Sequence, residues 1–398
     1  MNVMSVRDIA VKGKRVLVRV DFNVPLDEKT SVITDDSRIK ESLPTIRYLL
    51  ENGARVVLCS HLGRPDGKVV EKLRMGVVAE RLARLLEKKV LTTRDSVGPK
   101  VEQAVDKLKD GDVLLLENIR FHAEEEENDD SFARAMAKLA DVYVDDAFGT
   151  AHRAHASIVG VARYIPAVAG ILMEKELLAL GQILENPVHP FCGMLGGAKI
   201  SDKVGMLQNI MDKVDCLLIG GGMAATFLKA QSREVGQSLI EENMLDTAAR
   251  LIQQATKKGI CLVLPIDVVV ADNTSAGAKT VETVLVDKIG ANMKIVDIGT
   301  ETVKRFQEQL QQCRTIFWNG PMGIYEVPEF ARGTIKIAEF LAGIKGTRII
   351  GGGSTAEAVH ELGLAEKMTF VSTGGGASLS FLSGKVLPGV EVLRKKTK

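Results

Sequence analysis

Basic side chains recur at one kind of position along the first half of this sequence. Arg38, His61, Arg64, Arg120 and Arg153 each fall at a loop or helix start that follows a short apolar run. Guanidinium groups grip carboxylates and phosphates through paired hydrogen bonds, so such a set suits a small polyanion. A single loop arginine is usually only solvated, but five basic groups at successive strand ends point to an anion site. Asp21 and Asn23 follow the first of these runs and would take hydroxyls or orient the arginines. His61 reads better as a ligand for the anion than as an acid–base group.

Glycine takes over the strand ends in the second half: Gly196-Gly197, Gly220-Gly221-Gly222, Gly320, Gly351-Gly352-Gly353 and Gly374-Gly375-Gly376. Backbone N–H groups approach a phosphate closely only where no Cβ intervenes, and a following helix presents its positive end. One triplet is ordinary at a strand-to-helix turn; three in one region are a stronger signal. Lys199 and Lys203 lie at a predicted helix start, where a cation opposes the helix dipole unless an anion lies nearby. Rival motifs are missing. The Gly-Lys pairs at Gly13, Gly67 and Gly384 are followed by arginine or valine rather than Ser or Thr, so there is no P-loop, and no clean G-x-G-x-x-G follows the first strand. The acidic run Glu124 to Glu127 is expected to be a solvated loop and helix start.

These groups need elements to hold them. Runs such as Val16 to Val20, Arg55 to Leu58, Asp112 to Leu116 and Val142 to Val144 alternate with amphipathic segments such as Ser37 to Glu51, Met75 to Lys88 and Ser131 to Ala140. Near-continuously apolar strands separated by helices predict parallel sheets covered on both faces. The pattern restarts after a long helical segment, roughly Ile171 to Leu184, with strands expected near Phe191 to Leu195, Cys216 to Ile219, Cys261 to Leu264, Thr315 to Trp318, Arg348 to Ile350 and Phe370 to Ser372. The expected fold is α/β: two doubly wound parallel-sheet (Rossmann-like) domains joined by a helix, with a cleft between them. The length of 398 residues agrees with two domains of ordinary size. Ligands in such sheets bind outside the carboxyl ends of the strands, where the basic residues and the glycines fall.

Composition excludes other classes. A formal net charge of +1 gives no global attraction to nucleic acid or an anionic membrane surface. No uncharged apolar stretch reaches the ~18 residues a membrane helix needs. The five cysteines form no C-x-x-C pair, which favours a reducing cytoplasm over a disulfide framework or a zinc site.

Several segments together resemble the phosphoglycerate kinases: Arg19 to Pro25, Ser60 to Pro65, Glu117 to Phe121, Gly149 to His155, Gly196 to Lys203, Gly220 to Ala224, Trp318 to Gly323 and Thr373 to Ser378. The resemblance implies transfer of a phosphoryl group between 1,3-bisphosphoglycerate and ADP, giving 3-phosphoglycerate and ATP. It implies a domain over residues 1–170 holding the acid through Asp21, Asn23, Arg38, His61, Arg64, Arg120 and Arg153, with residues 379–398 packing back onto it. It implies a domain over residues 171–378 holding the magnesium nucleotide through Lys199, Lys203, Gly220, Gly221, Gly222, Gly299, Asn319, Glu326, Gly353, Ser354 and Thr355. Arg38, Lys199, Lys203, Gly375 and Gly376 would attend the transferring group, and the joining helix would act as a hinge. A monomer in the cytoplasm is the further expectation.

Ser354 stands where the family commonly has an aspartate beside the nucleotide's magnesium. A hydroxyl is a weaker, neutral ligand for a hard cation, so no protein metal ligand is assigned. That substitution also motivates an alternative reading, a non-catalytic sensor binding nucleotide and phospho-acid. Glycine-rich strand ends suggest a dinucleotide oxidoreductase, which the missing fingerprint argues against.

Overall fold

The computed structural model describes residues 3–394. The chain divides into two compact units, one running through Leu178 and resuming at Val386, the other spanning Ala179–Lys385.

The first unit holds a parallel sheet of β1 (Arg15–Arg19), β2 (Arg55–Cys59), β3 (Val90–Thr92), β4 (Val113–Leu115), β5 (Val142–Asp145) and β6 (Ala167–Ala169), in the order β3-β4-β2-β1-β5-β6. Successive side chains on a strand point to opposite faces. Val16 and Val18 of β1 therefore enter one core with Val56, Leu58, Ile39 and Ile46, while Leu17 enters a second with Val57, Leu114, Phe132 and Met136. Burial on both faces explains why these strands read as unbroken apolar runs. The helix Ser37–Glu51 matches its sequence expectation at both ends; β3 and β6, three residues each, were not anticipated.

The second unit holds a parallel sheet of β7 (Phe191–Leu195), β8 (Cys216–Ile219), β9 (Cys261–Val263), β13 (Thr315–Asn319), β14 (Thr347–Gly351) and β15 (Phe370–Val371), in the order β15-β14-β13-β7-β8-β9. The chain proceeds outward from β7 on one side and then resumes beside β7 with β13. The carboxyl ends of β7 and β13 thus mark the point where strand order reverses, the usual binding crevice of such sheets. Between β9 and β13 lies a smaller antiparallel sheet, absent from the sequence expectation: β10 (Asp267–Ala271) between β11 (Val281–Leu285) and β12 (Lys294–Ile298).

The helix Ile171–Glu185 runs from one unit into the other. The division falls inside that helix, between Leu178 and Ala179, and not at its start at 170/171. Its first turn is capped by the carboxylate of Asp146, which accepts from the amides of Leu172 (2.9 Å) and Met173 (3.3 Å). Near the C-terminus, the helix Gly376–Leu382 stays with the second unit, where Asn209 donates to the Leu382 carbonyl (2.7 Å). Contacts with the first unit begin further on, with the Gly389 amide donating to Ala151 O and the Met4 amide to Leu393 O. The expected return from residue 379 thus begins near 386, and residues 395–398 lie outside those described.

Candidate functional site

At the carboxyl end of β1, buried charge is organised around a residue that sequence reasoning did not single out. Arg19 is fully buried. Its guanidinium donates to Ser157 Oγ (3.0 Å), to the Val20 carbonyl and to His61 Nδ1 (3.2 Å). Arginine has no acceptor, so Nδ1 of His61 must accept and the ring proton sits on Nε2. Burial also pushes His61 well below the ordinary histidine range. His61 is therefore a neutral N–H donor and not one of five cationic groups.

Asp21 connects this layer to the solvent side. It pairs with Arg38 and lies 3.9 Å from His61 Nδ1. Burial alone would raise its carboxyl, but Arg38 foremost among its neighbours holds it below the usual range. Asn23 accepts from the Gly63 amide (2.8 Å), which orders the loop carrying the exposed Arg64. Arg120 is buried, and burial lowers its pKa. It donates to the Gly63 carbonyl (3.2 Å), while its Nε makes no hydrogen bond among the described residues and faces the Glu126 carboxylate. Glu126 places a carboxylate 3.4 Å from Arg120 and 3.8 Å from Arg153. Two arginines sharing one carboxylate is the arrangement that grips a carboxylate or phosphate ligand.

The acidic run is not a uniformly solvated segment. The helix Ala123–Glu127 turns Glu125 inward, where it is fully buried. Glu125 accepts from the Ser157 amide (2.8 Å) and hydroxyl (2.6 Å). Burial would raise it, but hydrogen bonding with His155, the Arg19 charge and Ser157 hold it below the ordinary value. Glu125, Ser157, Arg19 and His61 form one buried chain of contacts. A buried charge is stable only when paired and hydrogen-bonded, and Arg19 and Glu125 meet that requirement through Ser157.

The second unit's loops work through backbone. A Cβ on Gly196 would overlap the Pro321 carbonyl, one on Gly320 the Gly196 carbonyl, and one on Gly221 the Gly197 amide. Hydrogen bonds run the same way: Gly196 N to Asn319 O (3.0 Å), Gly197 N to Pro321 O (2.9 Å), Gly221 N to Met322 O (3.0 Å) and Met223 N to Gly197 O (3.0 Å). The loops after β7, β8 and β13 interlock main chain on main chain. The amides of Gly196, Gly197, Gly220 and Gly221 all serve internal carbonyls, so these glycines shape the crevice and are not phosphate donors. Gly353 and Gly375 differ, because a Cβ on either would meet nothing within 4 Å. Gly353 and Gly376 begin helices, whose first N–H groups have no intrahelical partner.

Lys203 lies at the foot of this crevice, nearly buried, donating to Asn319 Oδ1. Burial lowers its pKa to about 8. Lys199, on the same loop, is exposed, as are Ser354 and Glu326. Thr355 is fully buried and accepts from the Gly320 amide (2.7 Å), so it ties the β13 loop to the helix Gly353–Glu361. Gly299 leaves room for the Asp267 carboxylate, which caps the helix Thr300–Gln311 through Glu301 N (3.0 Å) and Thr302 N (2.7 Å).

Two doubly wound units, one with arginines over a buried ion network and one with interlocked glycine loops around a buried lysine, define a two-domain α/β phosphotransferase. A model of the family described as phosphoglycerate kinase matches residues 6–385. The chain is 55% identical over 392 residues to the phosphoglycerate kinase of Pelotomaculum thermopropionicum, covering 98% of this chain and 99% of that one. It is 54% identical over 396 residues to that of Dictyoglomus turgidum, covering 99% of each. The solved structure of phosphoglycerate kinase from Coxiella burnetii superposes with a TM-score of 0.86 at 40% identity, covering 98% of both chains. The chain belongs to the phosphoglycerate kinase family. It is a glycolytic kinase that transfers a phosphoryl group reversibly between 1,3-bisphosphoglycerate and ADP, giving 3-phosphoglycerate and ATP. No helix among the described residues is long and apolar enough to cross a membrane.

Proposed function

We propose that the first unit binds 3-phosphoglycerate or 1,3-bisphosphoglycerate and the second binds the nucleotide. The observation that carries this division is one carboxylate, Glu126, standing 3.4 Å from Arg120 Nε and 3.8 Å from Arg153, where a small anion would meet both arginines. Arg38, Arg64, Arg120 and Arg153 supply charge, His61 donates through Nε2–H, and Asp21 and Asn23 orient them. In the second unit, Lys199, Lys203 and the amides of Gly353, Gly375 and Gly376 face the phosphates, with Ser354 alongside. Gly220, Gly221, Gly222, Gly299, Asn319 and Thr355 build the walls, and Glu326 takes the ribose.

Phosphoryl transfer needs alignment and stabilisation of charge on the transferred group more than covalent help. The acceptor carboxylate of 3-phosphoglycerate is already ionised at neutral pH, so no general base is required. Arg38, Lys199 and Lys203 neutralise the group in transit. The donor and acceptor must come into line, and we assign that motion to a hinge at the helix Ile171–Glu185.

Magnesium fits this chemistry as part of the nucleotide. No group of three or more His, Cys, Asp or Glu side chains poised to hold a metal occurs among the described residues, and Ser354 offers one neutral oxygen. Magnesium is commonly held by substrate phosphates and water with few protein ligands. When bound, it screens charge between the phosphates. The proposed state is a cytoplasmic monomer. Turnover with ATP and 3-phosphoglycerate across a magnesium titration tests the metal assignment: Ser354→Asp should lower the half-saturating magnesium concentration by about tenfold, ~1.4 kcal/mol. An unchanged titration would remove Ser354 from the metal's surroundings.

A further inference from the structure

Four of the five cysteines, scattered in sequence, are gathered by the fold of the second unit. Cys192 opens out from β7, Cys216 begins β8 and Cys261 begins β9, and the three stand in register across adjacent parallel strands. In-register neighbours in a parallel sheet project to the same face, so three thiols lie in a row there. Cys313, just before β13, shares the core below that face with Cys192 and Cys216. The row is closed at both ends by Gln309 of the helix Thr300–Gln311. Cys313 Sγ donates to the Gln309 backbone carbonyl (3.2 Å), and Cys261 Sγ to its side-chain oxygen (3.6 Å). Cys192, Cys216 and Cys313 are buried, while Cys261 is exposed on an edge strand, and all four are free thiols. The row sits at the amino ends of the strands, opposite the glycine loops.

We propose that Cys261 and Cys216 form an oxidisable thiol pair, a modification site that takes hydroperoxides and closes as a Cys216–Cys261 disulfide. Adjacent strands lie about 4.8 Å apart, within the ~4.4–6.8 Å Cα range of disulfides. Cys261, at the start of an edge strand, can adjust to close the bond. In the first step, the Cys261 sulfur attacks one oxygen of hydrogen peroxide, the O–O bond breaks, and the departing hydroxide takes the thiol proton. The products are a sulfenic acid and water. In the second, the Cys216 sulfur attacks that of Cys261, the S–OH bond breaks, and the leaving hydroxide takes the Cys216 proton as a second water. Two thiols give up two electrons and one peroxide accepts them.

Access sets this order, because Cys261 is exposed and Cys216 is buried. The Cys216 thiol is lowered, foremost by a hydrogen bond from Cys192, which makes it a ready resolving nucleophile. Partial burial and the neighbouring Cys216 raise Cys261, which slows the first step.

The test is mass spectrometry of the full chain, exposed to hydrogen peroxide under native conditions, alkylated and digested. The expected product is a crosslink between the peptides carrying Cys216 and Cys261, reversed by dithiothreitol. Cys261→Ser should abolish it, Cys313→Ser should preserve it, and turnover should change by less than about twofold because the pair is remote from the glycine loops. Sulfonic acid at Cys261 with Cys216 still alkylated would overturn the proposal, as would a crosslink only between two copies of the chain.

Discussion

Under the proposed assignment, the two units prepare for anions by opposite means. In the first, side chains do so: arginines ranging from the exposed Arg64 to the buried Arg120 accompany a buried layer in which Arg19, Glu125, Ser157 and His61 satisfy one another. In the second, main chain shapes the crevice: glycine loops interlock, and the buried cation Lys203 has an uncharged amide, Asn319, as its hydrogen-bonding partner. A buried charge with a charged and hydrogen-bonded surrounding contributes order. One without a hydrogen-bonded counter-charge stays costly. The first unit is therefore preorganised by ion pairing, and the second holds a buried ammonium whose hydrogen bonds go to an amide.

The sharpest way to break this contrast is to remove each buried cation. Arg19→Met leaves Glu125 without its counter-charge and His61 without its tautomer-setting donor. It should destabilise the protein by about 3–5 kcal/mol in denaturant unfolding. Lys203→Met removes a charge whose pKa burial has already lowered to about 8. At pH 7 that variant should be as stable as the parent or more stable by ~1–2 kcal/mol, since the folded state no longer carries a desolvated ammonium. Equal losses from both substitutions would erase the distinction.

Glycines sharpen it on the main-chain side. Gly320 has φ +98° and no room for a Cβ against Gly196. Gly320→Ala should cost about 3 kcal/mol or more. Gly353→Ala meets open space in a helix's first turn and should change stability by less than about 0.5 kcal/mol while lowering turnover. Thermal unfolding beside an activity assay separates packing glycines from those that leave space for a ligand.

A smaller effect concerns the capped helix that joins the units. Burial pushes the Asp146 carboxyl up to about 8, and its Oδ2 has no partner among the described residues. The folded state holds a proton that the unfolded chain releases near pH 4. Its contribution to stability is therefore complete only in acid and declines as pH rises toward 8. Asp146→Asn keeps an oxygen for the Leu172 and Met173 amides and never ionises. Relative to the parent it should gain stability steadily between pH 5 and pH 8, seen as a growing difference in Tm that levels off above pH 8.

Much of the frame was legible because buried parallel strands read as apolar runs, and β7 and β8 fall where those runs fall. The antiparallel sheet was not legible. β10 begins only four residues after β9 ends and continues the same apolar composition, and β11 is largely exposed. In the site, Arg38 and Arg120 announced themselves as cations at strand ends. Arg19 did not, since an arginine ending a strand normally reaches solvent, and its partner Ser157 is 138 residues away. Glu125 was hidden by three acidic neighbours, because composition does not say which face of a short helix turns inward. The glycine triplets were visible, but only the packed structure separates Gly221, pressed on Gly197, from Gly353, open to a ligand.

The division of labour itself is tested most directly by calorimetric titration of 3-phosphoglycerate and of MgADP into Arg38→Ala and Lys203→Ala. Arg38→Ala should weaken 3-phosphoglycerate by at least about tenfold and leave MgADP within about twofold, and Lys203→Ala should do the reverse. Loss of both ligands in either variant, or of the wrong one, would contradict the assignment of acid and nucleotide to separate units.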